Sequence, residues 1–177
     1  PGARAAYDLD TGKLLWQPKD WQGGSANTSP VLWNNGARKC IIINGCCIDS
    51  QNGNVLWKGV KQNESTPVVV GNDMAVLASL YTLAPEGATR VWQQIWSFDR
   101  SSPLVYQGNI FINGGKDYRC GDFKTGAEKW CKQGIGTDMN SPILADGKII
   151  AFCGPGHSHT DEGCGIVIFR ATPDRYE

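Results

Sequence analysis

The sequence predicts an all-β fold, a β-propeller of four-stranded antiparallel blades, here a partial propeller of about 4–5 blades. Two marks that share one period predict it, together with a generous supply of glycine and tryptophan. A Ser/Thr-Pro pair followed by an apolar run stands at Ser29-Pro30, Thr66-Pro67, Ser102-Pro103 and Ser141-Pro142, at steps of 37, 36 and 39 residues. A tryptophan closing a short apolar run recurs at Trp16, Trp57, Trp92 and Trp130, at steps of 41, 35 and 38 residues. A period of this length marks one supersecondary unit per repeat, and a small sheet that cannot bury both faces alone covers them by stacking on its neighbours. The 22 Gly and 7 Trp suit short strands, frequent turns and repeated aromatic packing positions.

Each unit then resolves into strands, within one domain spanning 1–177. Residues 5–9 and 13–17 read as the last two strands of a half blade over 1–20, so the chain opens inside a blade and further blades are expected elsewhere. The second unit, 27–60, gives strands at 29–33, 39–43, 46–49 and 54–58, with Asn44-Gly45 where a two-residue hairpin turn requires two positive φ angles. The third, 65–95, gives 66–70, 74–79, 81–84 and 89–93. The fourth, 101–133, gives 102–106, 109–113, 118–123 and 127–132. The fifth, 140–177, gives 141–145, 148–152 and 165–170, with its last strand unassigned.

Composition narrows the function. Lys plus Arg and Asp plus Glu both number 17, so no long-range field steers the chain to nucleic acid or to an anionic membrane. No stretch approaches the roughly 20 apolar residues of a membrane helix, so no membrane span is expected. Seven cysteines favour an oxidising compartment, periplasmic or extracellular.

The motif Asp-x-x-Thr-Gly-x-x-x-Trp appears as Asp8, Thr11, Gly12, Trp16 and again as Asp122, Thr125, Gly126, Trp130, with Asp49, Asn52, Gly53, Trp57 a close variant. The Asp accepts hydrogen bonds from turn amides while the Gly takes the positive φ, which makes the motif a device of the fold. These residues closely resemble the repeat of the pyrroloquinoline-quinone-like (quinoprotein alcohol dehydrogenase-like) propellers. That resemblance covers nearly the whole chain and implies a Thr-Gly turn between the third and fourth strands of each blade and a Trp docking onto the next blade. The third unit departs from it, reading Ala84-Pro85-Glu86-Gly87-Ala88 before Trp92.

The family contains quinone-dependent dehydrogenases and scaffold proteins without the cofactor. In the dehydrogenases the resemblance implies a quinone (PQQ) held beside calcium, between a Trp and a disulfide of adjacent cysteines. Cys46 and Cys47 are the adjacent pair here, but they fall inside a strand that leads into an ordinary repeat turn. Cys120 and Cys131 flank the Thr125-Gly126 turn almost symmetrically, which predicts a disulfide across the hairpin. Cys40 is within reach of Cys46 or Cys47. Cys153 and Cys164 flank a loop that carries both histidines, His157 and His159. Oxidised, the two cysteines close that loop; reduced, the four side chains form a donor set for zinc or copper. Trp21, Trp33 and Trp96 fall outside the repeated slot, where they either line a rim surface or fill gaps between blades.

The leading expectation is a non-catalytic binding or scaffold propeller of a secreted or periplasmic protein, with no cofactor. Its partners are expected to be other propeller blades, from the rest of the chain or a partner chain, with a protein or glycan ligand also open. The alternatives are a segment of a PQQ-dependent alcohol or sugar dehydrogenase, and a protein-binding propeller of the outer-membrane assembly type.

Overall fold

A computed structural model describes residues 5–18, 28–96, 100–136, 140–153 and 165–177. Seventeen strands form five antiparallel sheets among these residues, with no helix. The first sheet pairs β1 (Ala6–Tyr7) with β2 (Leu14–Trp16). The second blade is β3 (Val31–Asn34), β4 (Lys39–Ile43), β5 (Cys46–Asp49) and β6 (Val55–Lys58). The third is β7 (Val68–Val70), β8 (Asp73–Val76), β9 (Ser79–Ala84) and β10 (Gly87–Gln93). The fourth is β11 (Leu104–Tyr106), β12 (Asn109–Asn113), β13 (Asp117–Asp122) and β14 (Glu128–Gln133). The last sheet has three strands, β15 (Ile143–Ala145), β16 (Lys148–Cys153) and β17 (Gly165–Arg170). In every sheet consecutive strands are neighbours, and this meander repeated sheet after sheet is a β-propeller.

The first strand of each blade begins two residues later than the Ser/Thr-Pro mark suggests, at Val31, Val68, Leu104 and Ile143. Proline lacks the N–H that a ladder needs, so the mark precedes the strand. Its hydroxyl has another task. The Ser29 N–H donates to Thr66 Oγ1, the Thr66 N–H to Ser102 Oγ and the Ser102 N–H to Ser141 Oγ, each at 3.0 Å. The mark is therefore a hydrogen-bonded series that ties each blade to the next.

Three apolar clusters lie between consecutive blades. Trp33, Cys40, Ile42, Cys47 and Trp57 of the second blade meet Met74, Val76 and Leu83 of the third. Ala75 and Leu80 on the third blade's other face meet Ile110, Ile112 and Phe123 of the fourth. Phe111, Tyr118 and Cys120 then meet Ile149, Ala151 and Phe169 of the fifth. Neighbouring residues of one strand point to opposite faces, so Ile110 and Ile112 serve one junction and Phe111 the next. Strands covered on both faces read as continuous apolar runs, and β12 is buried along its whole length.

The Asn44-Gly45 hairpin has φ of 49° and 70°, the two positive values a two-residue turn of this twist requires. Gly126 adopts φ 72°, and a Cβ added there would stand 2.6 Å from Trp92 Cδ2 of the preceding blade. Gly108 has a similar φ of 74° with nothing within 4 Å. Gly108→Ala is expected to cost about 1–2 kcal/mol, the backbone penalty alone. Gly126→Ala adds an overpacking cost and is expected to lose about 2–5 kcal/mol. Urea unfolding of the two variants measures the difference, and equal losses would show that the seat of Trp92 contributes nothing.

Candidate functional site

The most strongly built feature is the junction between blades. The indole N–H of Trp16 donates to Ser50 O at 2.9 Å, and that of Trp57 to Ala84 O at 3.1 Å. Trp92 donates to Phe123 O at 3.1 Å and Trp130 to Thr172 O at 2.9 Å. Each acceptor lies just after the third strand of the next blade, or at that strand's end. In two of the four junctions a motif glycine receives the ring: a Cβ on Gly53 would meet Trp16 Cε3 at 2.5 Å, and one on Gly126 would meet Trp92. The third blade takes Trp57 without such a glycine, through a two-residue Pro85-Glu86 turn closed by the Ala84 and Gly87 pair.

The aspartates hold these turns in shape. Asp122 Oδ1 accepts from the backbone N–H of Thr125 at 2.9 Å, from its hydroxyl at 3.0 Å and from the Lys124 N–H at 3.0 Å. The Thr125 amide hydrogen bond leads the effects that hold the Asp122 carboxyl below its ordinary value of 3.8. Asp8 repeats the arrangement with the Thr11 hydroxyl and amide, and its carboxyl is lowered chiefly by that hydroxyl. Asp49 keeps one such bond, from the Gln51 N–H at 2.9 Å.

The cysteines follow the same grammar. Cys47 is the cross-strand partner of Trp57, and Cys120 is the partner of Trp130. Ala6 and Leu80 stand in the same relation to Trp16 and Trp92. A register shift follows this pair in the first, second and fourth sheets and sits beside it in the third. Cys47 and Cys120 thus fill the slot beside the docking tryptophan, and both are fully buried.

Cys46 and Cys47 are successive residues of a regularly paired strand, partners of Ile43 and Ile42 respectively. Their side chains therefore leave opposite faces of the sheet, Cys47 into the junction and Cys46 to a half-exposed position. A quinone stacked on a disulfide of adjacent cysteines needs both sulfurs on one side, so this strand does not fit that group. Cys40 shares the buried face with Cys47, in the same apolar cluster. Burial pushes the Cys47 thiol well above its ordinary range and raises Cys46 as well.

The disulfide expected between Cys120 and Cys131 does not form. Cys120 pairs with Trp130, and Cys131 pairs with Arg119, so one residue of register puts the two sulfurs on opposite faces. The near symmetry about Thr125-Gly126 does not hold because the hairpin is centred one residue earlier: Asp122 bonds to Ala127 and Gly121 pairs with Glu128, and the register shift that follows carries Cys120 only as far as Trp130. Burial pushes the Cys120 thiol up to about 12, while Cys131 is half-buried beside Asp117, Arg119 and Gln133 and is also raised, burial first. Cys153 ends β16. Cys164, His157 and His159 lie outside the described residues, as does Trp21. Among the described residues no group of three or more His, Cys, Asp or Glu side chains is placed to hold a metal.

Trp33 and Trp96 fill gaps between blades: Trp33 donates to Asn72 Oδ1 of the third blade at 3.2 Å, and Trp96 packs over Gly121 of the fourth. Not legible in the repeat as read was the buried polar residue before three of the four Ser/Thr-Pro marks, Thr28, Ser65 and Ser101. Ser65 Oγ donates to Ser101 O at 3.0 Å, and Ser101 Oγ to Asn140 O at 2.9 Å. Extending the repeat by one position would have found it. Not legible either was a cleft of about 280 Å³ at the third blade, lined by Lys61, Tyr81, Arg90, Gln94 and Trp96 among others. These residues carry no repeated signal.

No protein-family profile matches the sequence, and neither does any curated protein. Solved structures do resemble it. BamB from Moraxella catarrhalis superposes with a TM-score of 0.57 at 16% identity, over 93% of this chain and 52% of that one. The quinohemoprotein alcohol dehydrogenase ADHIIG from Pseudomonas putida HK5 gives 0.63 at 14% identity, over 92% of this chain and 35% of that one. The computationally designed Ika8 protein gives 0.61 at 10% identity, over 82% and 48%. These likenesses show the fold, a β-propeller. It spans about half the length of BamB and about a third of the dehydrogenase.

Two outcomes follow. Under native conditions a maleimide is expected to modify Cys46 and Cys131, slowly at neutral pH and faster as pH rises, while Cys40, Cys47 and Cys120 stay protected until unfolding. Peptide mapping by mass spectrometry reads this, and early labelling of Cys47 would contradict the strand assignment. Asp122→Ala is expected to lower stability at neutral pH by about 1 kcal/mol. Because the folded carboxyl lies below 3.8, its charge-dependent contribution is complete above that value and is lost as pH falls through the lower folded one. The gap between variant and parent should therefore narrow on acidification, measured as unfolding free energy against pH.

Proposed function

We propose that this chain is a non-catalytic PQQ-like repeat propeller, a binding or scaffold module whose immediate partners are other blades, in a periplasmic or extracellular protein. The observation that carries the reading is the slot of Cys47. The adjacent cysteines are the feature that invites a quinone, and one of them occupies the position that Ala6, Leu80 and Cys120 occupy beside the docking tryptophans. A residue explained by packing in four sheets needs no cofactor to account for it. Its partner Cys46 faces the other way, so the pair offers no common surface to a ring.

The fold is shared with a quinohemoprotein alcohol dehydrogenase and leaves the dehydrogenase alternative open, while the slot of Cys47 supports the non-catalytic reading. The reading of a protein-binding propeller of the outer-membrane assembly type is a finer version of the same proposal.

Addition of pyrroloquinoline quinone and calcium to the purified protein tests the proposal. No shift of the quinone absorbance and no dye-linked oxidation of alcohols or sugars is expected. Saturable quinone binding that Cys46→Ser or Cys47→Ser abolishes would overturn the proposal and restore the dehydrogenase reading.

A further inference from the structure

We infer that the cleft beside the β8–β9 turn of the third blade is a binding site for a small hydroxylated carboxylate, of the class of a hexuronic acid, with Arg90 and Lys61 meeting its charge. The inference rests on the reading of the chain as a binding module and deepens it by naming the class of one ligand.

The cleft exists because the third blade departs from the second. Asn44-Gly45 and Leu77-Ala78 are the turns at the same place, between the paired Ile43 and Cys46 and the paired Val76 and Ser79. In the second blade the chain leaving β6 closes over this turn. The Gly59 and Val60 N–H groups both donate to Gly45 O, Gln62 Oε1 accepts the Gly45 N–H at 2.6 Å, and no room remains for a Cβ on Gly45. Ala78 carries the methyl group that such closure excludes.

Gln94 follows β10 as Gly59 follows β6, and its N–H donates to Ala78 O at 2.8 Å. The chain beyond then leans on the fourth blade instead, with Gln94 Nε2 on Gly126 O at 2.7 Å and Trp96 over Gly121. Val60 packs against the apolar cluster of its junction, whereas Ile95, in the same place, is 97% exposed. The space left open is the cleft of about 280 Å³, at the small end of the range for ligand pockets. At its rim Leu77 holds φ 52°, a left-handed value that a bulky side chain resists and that Asn44 tolerates in the second blade.

The charge on the walls has one sign. Tyr81 and Arg90 are cross-strand partners and so share a face, and Tyr81 packs toward the second blade, whose outgoing chain supplies Lys61. The lining residues include both cations and no carboxylate. Arg38, Arg100, Arg119 and Arg175 each face a carboxylate. Arg90 Nη1 instead donates to Gln93 Oε1 at 2.7 Å, a neutral acceptor that orients the guanidinium and leaves its charge uncompensated. Neither Arg90 nor Lys61 has an ion-pair partner among the described residues. Two cations brought from two blades to one concavity call for an anion, and the planar guanidinium fork matches a carboxylate. The Tyr81 hydroxyl and the Gln93 amide add neutral groups suited to hydroxyls, and Ile95 presents an apolar surface to a carbon skeleton. A bare inorganic anion would use none of these.

The probe is D-glucuronate, titrated into ¹⁵N-labelled protein beside D-glucose and inorganic phosphate. Saturable amide shifts at residues 77–81 and 90–96 are expected with glucuronate, no shifts with glucose, and binding several-fold weaker with phosphate. Arg90→Gln removes an exposed charge and no packing of the junction, and it is expected to weaken glucuronate about ten-fold or more. Lys61→Gln is expected to weaken it by less, and Lys13→Gln, an exposed lysine of the first sheet, to leave it unchanged. Absence of saturable shifts with glucuronate, equal binding of glucose, or binding indifferent to Arg90→Gln would overturn the inference. Phosphate bound as tightly as glucuronate would overturn the assignment of a hydroxylated acid in favour of a plain oxyanion site. Quinone binding that Cys46→Ser or Cys47→Ser abolishes would refute the scaffold reading and leave the response to Arg90→Gln intact, so the two fail separately.

Discussion

The structure depends on one contact repeated at every described junction, a tryptophan ring laid on the next blade with its indole N–H on a backbone carbonyl. A blade of four short strands has two apolar faces and no helix to cover them. Only another blade can, and its position must be fixed in angle and height before the side chains interdigitate. An indole does both: its ring supplies area, and its single donor accepts one geometry. The acceptor is a carbonyl freed at the end of the third strand, where the chain turns toward the outer strand. The Asp of the repeat organises that turn, so a short polar motif governs the placement of a large apolar surface.

At the other end of the first strands a second device meets the same need. The Ser/Thr hydroxyls of the Ser/Thr-Pro marks accept the backbone N–H of the equivalent position one blade earlier. Ser65 and Ser101 donate forward to the following blade. Proline ends the need for a ladder donor, and the hydroxyl then uses the free position for contact between blades. Polar side chains buried there are tolerated because each has a partner supplied by the repeat itself. Tryptophans near the last strand of a blade and hydroxyls just before the first strand thus tie neighbouring blades at two separate places.

This arrangement explains what could be read from the residues. The period, the strands at 39–43, 46–49, 109–113 and 165–170 and the Asn44-Gly45 turn followed from local chemistry, because turn geometry and apolar runs are written within a few residues. The docking role of the tryptophan was implied by the resemblance, while its acceptors, Ser50, Ala84, Phe123 and Thr172, needed coordinates. The cysteines were harder. Whether Cys120 and Cys131 face one another depends on where the hairpin is centred, and the ladder leaves Cys120 opposite Trp130, one residue short, which no spacing rule carries. The adjacent pair Cys46 and Cys47 looked chemical because adjacency is visible in a sequence and facing is not. The cleft at Lys61, Tyr81 and Arg90 has no period, so nothing in the repeat announced it.

The slot beside the docking tryptophan shows how a fold can imitate a site. Ala6, Cys47, Leu80 and Cys120 share it, residues alike only in being apolar and able to fit against an indole ring. Cysteine suits the slot because it behaves as a small hydrophobe when buried, and burial keeps its thiol protonated and inert. Reactivity would require the opposite environment, exposed and near positive charge. A repeat architecture therefore changes the weight of any single suggestive residue: a position must first be compared with its equivalents in the other blades. Special chemistry is to be sought where the equivalents are missing or the repeat departs from itself. In the described chain that place is the Pro85-Glu86 turn with the cleft of its blade.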